Sequence, residues 1–151
     1  MNVEVSVTIH AGAEKIWKAI TDFENCHTFI SGIEKIEVLE KPASGLVGFK
    51  WRETRVMFGK EAVEVMWITE AVDQQHYQTR AESHGCIYQS RLSIAADGDT
   101  CRLSMTLGAE FQTLTAKILG HTIGRLFVGA TKKALLKDLQ DIKTYIEKSE
   151  S

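Results

Sequence analysis

TLTAKILGHTIGRLFVGATKKALLKDLQDIKTYIEK, residues Thr113–Lys148, is the stretch whose reading decides the fold. It contains no proline, and its apolar residues return at helical spacing. The pattern predicts one long helix, about 50 Å from end to end. Leu119, Ile123, Leu126, Phe127 and Ala130 mark an apolar side in the first half. Leu135, Leu139, Ile142 and Ile146 mark one in the second. Lys132, Lys133, Lys137 and Lys143 stand mostly opposite, interleaved with Asp138, Asp141 and Glu147, which reads as a solvated face. Placed around a helical wheel, the two stripes do not line up. Gly120, Gly124 and Gly129 fall in the first half, where each costs about 0.8–1 kcal/mol relative to alanine. A bend, or the close approach of another backbone, is expected there. A helix with one dry side needs a surface to cover, and the rest of the chain must supply it.

Upstream, the chain reads mostly as strands. Val3, Val5, Val7 and Ile9 alternate with Glu4, Ser6 and Thr8, the period of a half-buried strand. Two short helices follow, one carrying Ile16, Trp17, Ala19 and Ile20, the other from Cys26 to Ile30. Six more strands are expected over Ile33–Leu39, Val47–Phe58, Glu61–Val72, Gln75–Ser83, Cys86–Ala95 and Thr100–Phe111. Gly59-Lys60, Asp73-Gln74, His84-Gly85 and Ala96-Asp97-Gly98-Asp99 supply the turns. Neighbouring strands followed by a helix imply an antiparallel sheet with its helices on one side, an α+β fold in a single domain spanning 1–151.

Bulk properties narrow the function classes. A formal net charge of −2 gives no basic surface for nucleic acid or anionic membrane. Cys26, Cys86 and Cys101 are an odd number without a C-x-x-C pair, which argues against a disulfide framework and for a reducing, cytoplasmic setting. The alternating N-terminus is no signal peptide, and no apolar run reaches the ~20 residues of a membrane span. The histidines His10, His27, His76, His84 and His121 are scattered without metal-ligand spacing, so neither a metal nor another cofactor is expected.

With a turn at Gly59-Lys60, Arg55 should face Glu64, Glu53 should face Met66, and Trp51 should face Ile68. Glu53, Arg55 and Glu64 then share one face with Trp51 and Met66. An unpaired buried charge costs several kcal/mol, so an Arg55–Glu64 pair is the physical minimum. It reads either as a structural ion pair or as a polar cluster that orients a ligand. Later strands alternate more cleanly. Tyr88 lies in the row of Cys86, Ser90 and Leu92, and Met105 and Phe111 lie in the row of Cys101 and Leu103. These rows belong under the helix, and a long helix over a curved sheet leaves room for a pocket. Val56, Val63, Val65 and Trp67 fall on the opposite face. Either the faces are reversed, or this convex side is a self-association surface for a homodimer.

The order strand, two short helices, strand meander, long helix resembles the START-like, Bet v 1-like superfamily (SRPBCC, the helix-grip fold), and within it small bacterial proteins of the polyketide cyclase/dehydrase type. The segments that carry the likeness are V-x-I-x-A-x-A-E-K-I-W-K-A-I-T-D-F at 7–23, G-F-K-W-R-E-T-R at 48–55 and F-V-G-A-T-K-K-A-L-L-K-D-L-Q-D-I-K at 127–143. The resemblance implies a curved sheet of about seven strands wrapped around the C-terminal helix, with a hydrophobic cavity between them. It implies binding or transport of a small hydrophobic molecule, such as a lipid, isoprenoid, quinone or polyketide. It carries over no family-wide catalytic residue. Trp51, Met66, Tyr88, Met105 and Phe111, with Ile123 and Phe127 of the helix, are expected in the cavity wall, beside the Glu53/Arg55/Glu64 cluster. If the protein is an enzyme, a cyclase or dehydratase, Glu53, Glu64 and Tyr88 are the acid–base candidates. A protein-interaction module using the outer sheet face is the third reading.

Overall fold

Alternation of valines with polar residues makes Asn2–Ile9 strand β1, and Val3, Val5 and Ile9 are buried. The computed structural model describes residues 2–57, 59–83 and 85–148, and within these leaves aside the side chains of residues 57, 116 and 119–127. Helix α1, Ala13–Ile20, buries Ile16 and Ile20. The second short helix expected over Cys26–Ile30 is a single 3-10 turn, Cys26–Thr28, which turns Cys26 inward. The strands that follow are β2 Ile33–Glu40, β3 Lys50–Met57, β4 Lys60–Val72, β5 His76–Ser83, β6 Cys86–Asp97 and β7 Thr100–Phe111. Helix α2, Leu114–Lys148, closes the chain.

All strand pairs are antiparallel, in the order β1-β7-β6-β5-β4-β3-β2. β3 begins at Lys50, later than the expected Val47, because Leu46–Phe49 closes a turn through a Phe49 N–H to Leu46 C=O bond of 2.9 Å. Irregular register within the β2–β3 and β4–β5 pairs adds local twist to that half of the sheet.

The β3–β4 register differs from the sequence expectation by two residues. Arg55 faces Ala62, Glu53 faces Glu64, and Trp51 faces Met66. The physical reason is the turn. Gly59 takes φ 73°, the left-handed conformation that glycine adopts without strain, and Met57 pairs with Lys60. A shift of two leaves every side chain on its own face. Trp51, Glu53, Arg55, Glu64 and Met66 therefore do point inward, and Val56 and Val63 point outward, about half exposed at 46% and 52%.

The core has two parts. Ile9, Ile16, Leu103, Leu139 and Ile146 anchor the larger one, between β1, β7, α1 and the C-terminal half of α2. Phe23, Phe49, Trp51 and Ile68 form the smaller one. Polar contacts pin the same half of α2. Ser31 donates its N–H and hydroxyl to Asp141 at 2.9 and 2.8 Å, and Tyr145 stacks on Phe29 at 4.0 Å between centroids. The first half of α2 continues the same helix without interruption. A Cβ on Gly129 would meet nothing within 4 Å, so no other backbone packs closely at that glycine.

Candidate functional site

A cavity of about 230 Å³ lies between the concave face of the sheet and α2. Each wall has a local origin. Strands β3 and β4 send in Trp51, Glu53, Arg55, Ala62, Glu64 and Met66, consecutive inward positions of one hairpin. Strands β5, β6 and β7 contribute Tyr77, Leu92 and Met105 in one cross-strand row, Thr79, Ser90 and Leu107 in the next, and Tyr88 between Ala81 and Ala109. The segment from α1 to β2 adds Phe23, Cys26, Phe29 and Ile30, and α2 adds Thr131, Leu135, Asp138 and Ile142. Most of this surface is apolar, so water inside gains little and an apolar ligand gains by displacing it.

Polar groups gather at one end. The Arg55 guanidinium donates from Nε to Glu53 at 3.1 Å and from Nη2 to Asp138 at 2.9 Å. All three side chains are mostly buried, with 17%, 12% and 9% exposed for Arg55, Glu53 and Asp138. Trp51 Nε1 donates to the other Glu53 oxygen at 3.4 Å. Burial works against the charged form of Arg55, but Asp138 and then Glu53 outweigh it and hold the guanidinium protonated. Asp138 responds in the opposite sense. Burial raises its carboxyl above the usual range by more than Arg55 lowers it, and Glu53 pushes the same way. The difference is one of number, because one cation serves two buried anions.

The thiol of Cys26 and the phenols of Tyr77 and Tyr88 on the same wall are kept neutral. Burial, then the Glu53 charge, pushes the Cys26 thiol up to about 12, and its Sγ donates to the Phe23 carbonyl at 3.3 Å. Cys26 is thus no thiolate nucleophile at neutral pH. Burial, then neighbouring Cys86, pushes Tyr88 up to about 12. Burial, with Cys26 and Glu53 nearby, also raises Tyr77. Tyr77 stands edge-on to Phe23 and Trp17, with centroids 5.4 and 6.2 Å away. Thr79 and Ser90 share a hydroxyl–hydroxyl hydrogen bond across β5 and β6. The buried Thr131 hydroxyl has no hydrogen-bond partner among the described residues.

Trp51, Glu53, Arg55, Glu64, Met66, Tyr88 and Met105 thus meet around one cavity. Phe111 pairs with Cys86 at the end of β7, away from the described wall. Ile123, Phe127 and His121 of the helix, and His84 and Phe58 of the turns, fall outside the described residues or side chains. The expected Arg55–Glu64 pairing gives way to Arg55 opposite Ala62, with Glu53 and Asp138 as ion partners, because of the two-residue register difference. Asp138 also departs from its expected place on the solvated face of the helix, since it is buried. Its spacing held the signal. Leu135, Asp138, Leu139 and Ile142 run i, i+3, i+4, i+7, so Asp138 lies in the dry stripe. Tyr77 and Thr131 were also outside the sequence expectation.

Comparison with known proteins places this geometry in context. A family model described as polyketide cyclase / dehydrase and lipid transport matches residues 1–147. Among solved structures, TTHA0849 from Thermus thermophilus superposes with a TM-score of 0.83 at 17% identity, covering 100% of both chains. The Zhui aromatase/cyclase from Streptomyces sp. R1128 gives 0.79 at 13% identity, covering 100% of this chain and 96% of that one. A START superfamily protein from Mycobacterium smegmatis gives 0.67 at 21% identity, covering 93% and 98%. At such identities the structural likeness speaks for the helix-grip fold alone. No curated protein matches the sequence. The family match spans nearly the whole chain, and with the strand order and the sheet–helix cavity it assigns this protein to the polyketide cyclase/dehydrase and lipid transport family of the START-like, Bet v 1-like superfamily.

Proposed function

We propose that the protein binds or carries a small hydrophobic molecule in the cavity between sheet and α2. The observation that carries this reading is the cavity itself, apolar over most of its wall and large enough for a ring system or a short isoprenoid. A fold that only needed stability would gain by filling such a space, because each missing buried methylene forfeits about 0.8 kcal/mol. Native mass spectrometry of protein taken from its own host, followed by extraction, tests the reading. Co-purification of an apolar small molecule is the expected result. Protein that is empty and takes up no apolar probe would overturn it.

The second reading is a cyclase or dehydratase. The family description and the Zhui likeness favour it, together with the two carboxylates and two tyrosines on one wall. Glu53 or Glu64 would serve as base and Tyr88 as acid. In an enzyme, Glu53→Gln or Glu64→Gln lowers turnover by about 10²–10⁴ with binding retained. In a carrier the same variants weaken binding modestly and there is no turnover to lose. The exposed Val56 and Val63, with Val65 and Trp67 on the same outer face, support self-association as a homodimer. Sedimentation at high protein concentration checks this, and a monomer there would contradict it.

A further inference from the structure

The polar end of the cavity has a sign. Arg55 is the one basic side chain among the described residues of the wall, which also carries three carboxylates, Glu53, Glu64 and Asp138. Two of them already hold it, Glu53 at 3.1 Å and Asp138 at 2.9 Å. Glu64 lies opposite Glu53 in the β3–β4 register. An incoming carboxylate would find no uncommitted cation among these groups. It would meet like charges in a water-poor setting, where repulsion is much stronger than in bulk solvent.

A donating group meets the reverse situation. A carboxylate offers about four lone-pair sites. The bonds seen here take two at Glu53, from Trp51 and Arg55, and one at Asp138, from Arg55. A second observation points to a polar ligand atom independently. Thr131 lies two turns before Asp138 on the cavity side of α2, is only 3% exposed, and leaves its Oγ1 without a partner among the described residues. Buried hydroxyls are nearly always bonded in folded proteins, so an orphan on a cavity wall indicates a partner from outside the chain.

We propose that this cavity selects an amphiphile with an apolar body and a hydrogen-bond-donating head, such as a hydroxyl, an amide or a protonated amine, lodged against Glu53 and Asp138, and that it rejects carboxylates of the same shape. The proposal rests on the carrier reading above and narrows it. It separates the neutral or cationic members of the hydrophobic class from the fatty-acid-like ones.

The test is a titration panel at pH 7 with a shared aromatic body, using 2-naphthamide, 2-naphthylmethylamine and 2-naphthoate. The amide and the carboxylate are nearly isosteric and differ in charge and in donor. The amide and the ammonium should bind at least about tenfold more tightly than naphthoate, since like-charge juxtaposition in a desolvated site costs several kcal/mol. Naphthoate binding as tightly as the amide would overturn the proposal while leaving the carrier reading intact. Failure of all three to bind at millimolar concentration would remove both. Asp138→Asn and, separately, Glu53→Gln each delete one negative charge and should shrink the amide-to-naphthoate ratio. An unchanged ratio in both folded variants would also overturn the assignment. If neither variant folds, the panel on the parent protein decides alone.

Discussion

Arg55 is where the largest single-residue effect is expected. Its side chain is the cation that keeps Glu53 and Asp138 compatible with burial. Arg55→Met would leave two buried carboxylates without a counter-charge, and removal of one partner from such a network costs about 3–5 kcal/mol. Urea unfolding at pH 7 measures it, and a loss below about 1 kcal/mol would show that the cluster is wetter than it looks. Asp138 should act with the opposite sign as pH changes. Its folded-state pKa is raised by burial, so the folded protein holds this proton more tightly than the unfolded chain. The group's stabilising contribution is complete below its ordinary value, near 3.8, and declines as pH rises through the folded value. Asp138→Asn removes that decline. Relative to the parent, the variant's urea midpoint should improve as pH is raised from about 4 to 7, and a constant difference across that range would contradict the assignment. Thr131 gives a third residue-level expectation. Its unpartnered hydroxyl makes Thr131→Val stabilising by about 1 kcal/mol in ligand-free protein, read by thermal unfolding.

At the scale of elements, α2 divides where its surroundings change. From Thr131 onward it is docked by Leu139, Ile142 and Ile146 and by the Asp138 and Asp141 contacts. Gly129, just before that half, is exposed, with open space where a Cβ would stand. Gly129→Ala should therefore raise stability by about 0.5–1 kcal/mol, the helix-propensity difference with no packing term against it. A loss instead would show that this turn of helix must bend. The glycine spacing in the sequence suggested either a bend or close packing, and at Gly129 the space rules out the second. The strands were legible because period-2 alternation is a property of the chain alone. Faces survived a wrong register in the β3–β4 hairpin because the error was even, and Gly59's left-handed backbone moved the turn without exchanging sides. Partner choice was less legible. Which carboxylate meets Arg55 depends on α2 crossing above β3, a contact between residues 83 positions apart that no local spacing encodes. Asp138 hid among lysines, since a lone polar residue in an apolar stripe reads as an interruption until the opposing cation is placed.

At the scale of the whole molecule, the cavity sits between the two parts of the core. Phe23 and Trp51, which pack with Phe49, close one side, and Leu139 and Ile142 belong to the other. The family match and the fold leave three uses for this arrangement, and filling the space separates them. Ala134 lies on the cavity side of α2, one turn before Asp138. Ala134→Leu adds apolar volume where there is now void, so it should leave stability unchanged or raise it by up to about 1 kcal/mol. For a carrier, the same change should abolish binding of naphthalene-sized probes. For a cyclase, it should abolish turnover together with binding, because substrate can no longer enter. For a protein that works through its convex face, it should do neither, and Trp67→Lys should instead disrupt association, because it puts a new charge on the outer face that carries exposed Val63. Ala134→Leu protein that folds, gains stability and still binds apolar probes as tightly as the parent would place the ligand outside this cavity. That result would undo the carrier and the enzyme readings at once, since both need the space under α2.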